Sequence, residues 1–248
     1  MSLYDDLIKH KILLNKYSKY QSRQYLHELK QHKKIILKEI EKYGVLSYPK
    51  AKELHAMLGK GIPEIVKGQL QQLKLFYDYE QKFATRVLKK KFEVSEIIKT
   101  ETTILDIASL KVPFSLYKAP VGIEDAYTNF TNKVLNRTFQ IVNDGNTQGL
   151  NKQEVIQKIE ELYVGLTKSQ GFSLVGNTIA GVSGDAMDSL VTENPDLGIT
   201  GQEWVSMLDD NTCEYCASLD GEVFALGDEP DWPAHVNCNC ELVPYSGT

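Results

Sequence analysis

All four cysteines of the chain fall within one 28-residue stretch, as Cys213-Glu-Tyr-Cys216 and Cys238-Asn-Cys240, with His235 just ahead of the second pair. Thiolate and imidazole are the donors that a tetrahedral zinc ion takes. A C-x2-C turn aims two thiolates at one point, and a second short segment supplies the remaining ligands. Five candidates therefore compete for four places. Cys238 and Cys240, two apart, face the same way on a strand, whereas His235 and Cys238 are spaced for a turn, so both ligand sets stay open. Cys213 and Cys216 are the firmest members. Two disulfides would also use four thiols, but a chain kept in a reducing compartment disfavours them. A catalytic zinc keeps an open position and a general base beside it. His235 is the only histidine after residue 55, and Asp209, Asp210, Asp220, Asp228 and Asp231 lie in a loop-rich tail where acids are usually just solvated. The expectation is a structural zinc ion and no enzymatic activity. A tail this small cannot bury enough apolar area alone, and a metal supplies what its core lacks.

The elements that must position these ligands can be read backwards from the tail. After Asn194-Pro195 the period shortens towards two: Trp204-Val205-Ser206-Met207 reads as a strand, Asp220-Gly221 as a hairpin turn before Val223 and Phe224, and Glu241-Leu242-Val243-Pro244 as a closing strand. Upstream the periodicity is helical. Leu3 to Tyr43 holds no Pro or Gly, and Leu7, Leu14, Tyr25, Leu29, Ile36 and Ile40 fall within one stripe. Forty residues of helix would span about 60 Å, so part of it should protrude or pair. Ser47 and Pro49 mark the start of a short helix through Leu58, and Pro63 that of another to about Phe92. Pro113 and Pro120 break a mixed stretch from Glu93 to Gly122. Helices follow over Ile123 to Val142, closed by Asn143-Asp144-Gly145, then from an Asn151/Glu154 cap, and more weakly over Leu174 to Val191. The expected fold is mainly α with a small β-rich zinc-binding C-terminal module: a basic N-terminal helical arm over 1–100, a central helical domain over 101–198, and a zinc-stapled module over 199–248.

Composition fits a soluble globular protein, 42% hydrophobic and 25% charged, and no run approaches the ~18 apolar residues of a membrane helix. The first residues lack the basic-then-apolar order of a signal peptide, which implies a cytoplasmic chain. The net charge of -5 hides a gradient: residues 1–100 hold 21 Lys/Arg against 11 Asp/Glu, residues 101–248 hold 7 against 22. Such asymmetry accompanies polyanion contact at one end and a different partner at the other. Lys30, Lys33, Lys34, Lys38 and Lys42 crowd one helix, and Lys89, Lys90 and Lys91 another. Either group could neutralise the phosphates of double-stranded DNA or meet a protein partner, although lysine runs on long helices are most often a solvated face. Tyr17, Tyr20, Tyr25 and Tyr43 interleave with them and read as packing before base stacking. The long amphipathic helices could instead dock on a larger ring-shaped partner in a helix-in-groove mode, an expectation preferred over self-assembly.

Trp204, Asp209, Cys213, Cys216, the Leu219-Asp220-Gly221 turn, Phe224, His235-Val-Asn-Cys238-Asn-Cys240 and Pro244 together resemble the C-terminal signature of the Mu F-like phage head morphogenesis family. Its members are minor head proteins of tailed phages. From Ile123 to Gly198 the helical organisation is also similar. The chain departs from the family in having Val236 where Pro is usual, Asn239 where Arg is usual, and Gly181-Val182-Ser183 in place of an Arg-Thr-Glu segment. The resemblance implies a non-enzymatic capsid protein at the portal vertex, with the portal protein and capsid interior as partners. It implies roles in head morphogenesis and DNA packaging or ejection, in the host cytoplasm during assembly and then in the virion head. Two rivals remain. One is a metal-dependent nuclease or peptidase of head maturation, which would lack a second histidine as base. The other is a DNA-binding zinc protein, whose acidic tail phosphates would repel.

Overall fold

With neither proline nor glycine to interrupt it, the first apolar stripe folds as one unbroken helix, α1, Leu3–Tyr43. The computed structural model of the chain describes residues 3–98, 101–113, 119–207 and 212–247. Leu14, Tyr25, Leu29, Ile36 and Ile40 of that stripe are buried. Helix α2, Tyr48–Gly59, begins after Ser47, whose hydroxyl makes no capping bond, so Pro49 with its fixed φ marks the start. Helix α3, Ile62–Phe92, ends at a left-handed Glu93.

The mixed stretch that follows contains a short helix that apolar periodicity did not reveal, α4, Ile104–Ser109. It is nucleated by a reciprocal cap: Asp106 N–H donates to Thr103 Oγ1 at 3.2 Å, and Thr103 N–H donates to Asp106 Oδ2 at 2.7 Å. Strands β1, Lys111–Val112, and β2, Val121–Gly122, then pair antiparallel.

Helix α5, Ile123–Gln148, runs straight through Asn143-Asp144-Gly145 and stops at left-handed Gly149. The turn expected at 143–145 is absent because Gly145 serves a different purpose: a Cβ there would collide with Val155 of α6. The glycine lets two helices approach, and helical packing overrides local turn chemistry. Helix α6, Lys152–Leu166, opens on the expected cap, with Asn151 Oδ1 accepting from the N–H groups of Gln153 and Glu154. A single π turn, Thr167–Gly171, leads into α7, Phe172–Glu193.

Residues on both sides of position 100 contribute to one apolar core. Tyr25, Ile36 and Tyr77 meet Tyr127, Phe130 and Ile179 there. Tyr25 sets its ring edge-on to Tyr127 at 4.9 Å and shares a 2.7 Å hydrogen bond with Thr131 Oγ1, which satisfies a hydroxyl that would otherwise be stranded.

Beyond α7 the chain is mainly β. Strand β3, Gly201–Val205, lies between β4, Val223–Ala225, and β5, Glu241–Tyr245, all antiparallel, with a short helix α8, Glu214–Ser218, between β3 and β4. Strand β3 starts earlier than the expected Trp204 because Gly201 lets the Phe224 carbonyl pack where a side chain would stand. The fold is thus mainly α with a small β-rich C-terminal lobe.

Three helices hold the lobe. Gly184 of α7 leaves a seat filled by the ring of Trp232, whose Nε1–H donates to the Cys240 carbonyl at 3.1 Å. Lys11 of α1 reaches the same carbonyl at 3.2 Å and pairs with Glu241 at 2.8 Å. Lys91 of α3 donates to the Pro244 carbonyl. Beneath this seam, Glu80 Oε2 accepts from Ser183 Oγ at 2.6 Å and lies 2.8 Å from His10 Nε2, with His10 stacked on Phe83.

The Gly184 seat makes a sign-reversing prediction. Gly184→Ala should lower stability by about 1–3 kcal/mol through overpacking against Trp232. In a Trp232→Ala background the same change should be neutral or stabilising by up to about 1 kcal/mol, since alanine is then only a better helix former. Denaturant unfolding of the two single variants and the double variant checks it.

Candidate metal centre

The Cys213 to Cys216 turn is the first turn of α8. Cys213 caps that helix, its Sγ accepting from the Cys216 N–H at 3.4 Å, so both sulfurs turn to the same side. The second segment, His235 to Cys240, follows the seated Trp232 in the chain. Asn237 takes a left-handed conformation there, and its N–H donates to Asn177 Oδ1 of α7 at 2.8 Å. The loop is thereby tied to the helical body at the point where it must bend.

These two segments bring all five candidates together. The ligating atoms of Cys213, Cys216 and His235 lie within 4.8 Å of one another, and so do those of Cys216, Cys238 and Cys240. Cys216 belongs to both trios. Its sulfur is 3.0 Å from His235 Nε2 and 3.8 Å from Cys238 Sγ, while Cys213 Sγ is 3.2 Å from the same Nε2. Thiolates bound tetrahedrally at ~2.3 Å from one ion sit about 3.8 Å apart, whereas a disulfide needs ~2.05 Å. All four thiols are free. His235 Nδ1–H donates to the Val236 carbonyl at 3.0 Å, which leaves Nε2 with its lone pair towards the sulfurs, the tautomer a metal requires.

Burial and mutual hydrogen bonding spread the acidities of the thiols widely. Burial pushes Cys216 up to about 12, whereas a hydrogen bond from Cys240 pulls Cys238 down to about 5. Cys240 is raised, first by that same bond to Cys238, and Cys213 is lowered, first by the Cys216 N–H. Burial pulls His235 down, but the Val236 carbonyl and the neighbouring thiolates outweigh it and raise the ring above its usual value. Negative charge collected in such a space repels itself unless a cation joins it, and soft sulfur with imidazole suits a thiophilic divalent ion.

The residues around the cluster act as its frame. Trp204 is fully buried and its Nε1–H donates to Ser206 Oγ at 3.2 Å. Ser206 Oγ donates to the Cys216 carbonyl at 2.6 Å and lies 3.5 Å from Cys240 Sγ. Asp220 accepts from the Ser206 N–H at 2.7 Å, and the Gly221 N–H donates to the Trp204 carbonyl at 2.8 Å. Asp220 is thus a scaffold residue; Asp228 and Asp231 are exposed, and Asp209 and Asp210 lie outside the described residues. Ser206, Trp232, Asn177 and Lys11 escaped sequence reasoning, because each acts through partners distant in the chain.

The lysines are divided by the fold. Lys33 pairs with Glu160 at 2.5 Å, Lys89 donates to the Ser95 carbonyl at 2.5 Å, Lys90 pairs with Asp6 at 2.6 Å, and Lys91 is committed to the lobe. Lys30, Lys34 and Lys38 are exposed and, four apart, share one side of α1.

Residues 136–243 match the family described as Phage Mu protein F like protein. The matched span begins in α5, includes every candidate ligand and ends in β5, so the resemblance carried by the signature residues holds over a longer stretch. No curated protein and no solved structure matches the chain.

Because Cys216 stands in both trios, Cys216→Ser should weaken uptake of Co²⁺, followed by its thiolate charge-transfer band, by more than the ~10–100-fold that loss of an outer partner costs. Ser206→Ala, which removes only outer hydrogen bonds and no ligand, should fall inside that range. Unchanged Co²⁺ binding by Cys216→Ser would refute the central place of Cys216, and unchanged binding by Cys216→Ser/Cys238→Ser would refute a metal centre here.

Proposed function

We propose that this chain, Mu F-like over residues 136–243, is a minor head protein that works by holding partners during phage head assembly, with a structural zinc ion organising its C-terminal lobe. The observation that carries the reading is the convergence of the matched span with the Cys/His cluster. The segment that resembles head morphogenesis proteins is the one that gathers four thiols and an imidazole. Zinc suits sulfur and nitrogen donors in tetrahedral array and brings no redox chemistry. Cys216, Cys238 and Cys240 are buried against Trp204, an environment that favours a closed ion over one that receives substrate. Among the described residues of the lobe the only imidazole is His235, which stands among the ligands.

Portal association and a part in DNA packaging or ejection are what the resemblance implies, and they form part of this proposal. A DNA-filled shell surrounds such a protein with phosphate, and Lys30, Lys34 and Lys38 are the lysines placed to meet it. With Lys33, Lys89, Lys90 and Lys91 engaged within the chain, the exposed stripe is the part of the two lysine runs that we assign to phosphate contact.

Two measurements test the proposal. Particles assembled with a Cys213→Ser/Cys216→Ser chain should contain less of it than wild-type particles, and the isolated wild-type protein should carry zinc without nicking plasmid DNA in the presence of divalent metals. Nicking that disappears with His235→Ala would replace this reading with the nuclease. For DNA, Lys30→Glu/Lys34→Glu/Lys38→Glu should flatten the salt dependence of duplex retention by about 0.9 for each phosphate no longer neutralised.

A further inference from the structure

Exposed leucines scattered singly over a surface carry no message, but a cluster on two facing helices does. Leu13 of α1 is 52% exposed, and Leu75 and Tyr79 of α3 are 64% and 52% exposed. All three line one groove of ≈ 500 Å³ between the helices, floored by Leu14, Tyr17 and Phe76, with the Tyr17 and Phe76 rings stacked at 4.7 Å. A second depression of ≈ 370 Å³ continues past Leu13 and Tyr79 to Phe83 and Val87. Along α1 the pair of hollows runs from Asp6 to Tyr17, roughly three helical turns or about 16 Å.

The rim is positively charged. Lys9, Lys16 and Arg86 line it. The carboxylates nearby are already engaged: Asp6, on the rim itself, pairs with Lys90 beside it, Asp78 pairs with Lys74 at 2.5 Å, and Glu80 meets His10 and Ser183. An apolar floor under a cationic rim selects an apolar stripe with anionic flanks.

We propose that this α1/α3 groove seats an amphipathic helix of a partner protein, one that presents apolar residues at i, i+3 or i+4, and i+7 between acidic side chains. A second copy of this chain does not supply such a helix from its acidic lobe, where the one helix among the described residues, α8, has five residues. The groove lies outside the span 136–243 and shares no residue with the Cys/His cluster, so the inference goes beyond the head-protein reading and can fail without it.

The test uses the full chain and a fluorescein-labelled synthetic 18-residue helix with a leucine stripe flanked by glutamates, beside a twin carrying lysines in place of the glutamates. Fluorescence anisotropy should show the acidic helix binding at least tenfold more tightly than its basic twin. Leu13→Glu/Leu75→Glu, both at exposed positions and checked for unchanged thermal unfolding, should weaken the acidic helix at least tenfold. Lys16→Glu/Arg86→Glu should narrow or reverse the preference between the twins. Equal binding of the two peptides, no binding of the acidic one, or full binding by Leu13→Glu/Leu75→Glu would overturn the proposal. So would a sedimenting dimer that these substitutions dissolve, since the occupant would then be another copy of the chain.

Discussion

Sulfur gathered against sulfur is the constraint on which the C-terminal lobe depends. Its sheet has strands of five, three and five residues, and its buried centre consists of Trp204 with Cys216, Cys238 and Cys240, flanked by half-buried Leu219, Phe224 and Trp232. A centre made largely of ligand atoms has little apolar area to offer, and thiolates confined together oppose one another. A cation reverses that balance. The polar frame of Ser206, Asp220 and the Trp204 indole then serves to fix the backbone from which the ligands project.

The lobe does not stand apart from the helices. Its Trp232 occupies the gap left by Gly184, its carbonyls at Cys240 and Pro244 receive lysines from α1 and α3, and Asn177 tethers the turn at Asn237. Each contact falls on or next to the second ligand segment. The helical body therefore sets where His235, Cys238 and Cys240 stand, while the α8 turn sets Cys213 and Cys216. Glycines of α7 that dilute its helix propensity permit close approach: Gly184 admits Trp232 and so allows this docking, and Gly181 admits Val112 of β1 at 2.8 Å from the place of a missing Cβ.

Much of this was legible in the residues. The bounds of α1, the Pro-marked starts of α2 and α3 and the Asn151/Glu154 cap follow from local rules, because each depends on neighbours a few positions away, and the gathering of the Cys and His side chains follows from their clustering in the sequence. Gly145 misled for the complementary reason: its role is contact with Val155 across a helix pair, and a local rule reads it as a turn. The lysines show the same limit. Nothing near Lys91 announces a partner 153 residues later, nor near Lys90 one 84 residues earlier. The ambiguity among five ligands also came from spacing alone. The structure shows why it arises, since Cys216 faces both His235 and Cys238 and joins the two trios into one cluster.

The bond from Lys11 to the Cys240 carbonyl spans 229 positions of sequence, and it bears on how the protein is made. Synthesis releases α1 before the lobe, so Lys11 and its neighbours wait through the intervening 229 positions before the seam they cover exists. Contacts this remote are the slowest to form, since the loop they close costs most in chain entropy. Until β5 is made, His10 and Glu80 lack the cover that Trp232, Glu241 and Leu242 give to the hollow they share. Closure of that seam cannot precede synthesis of β5, so the join between lobe and helical body is made late however early the helices themselves form.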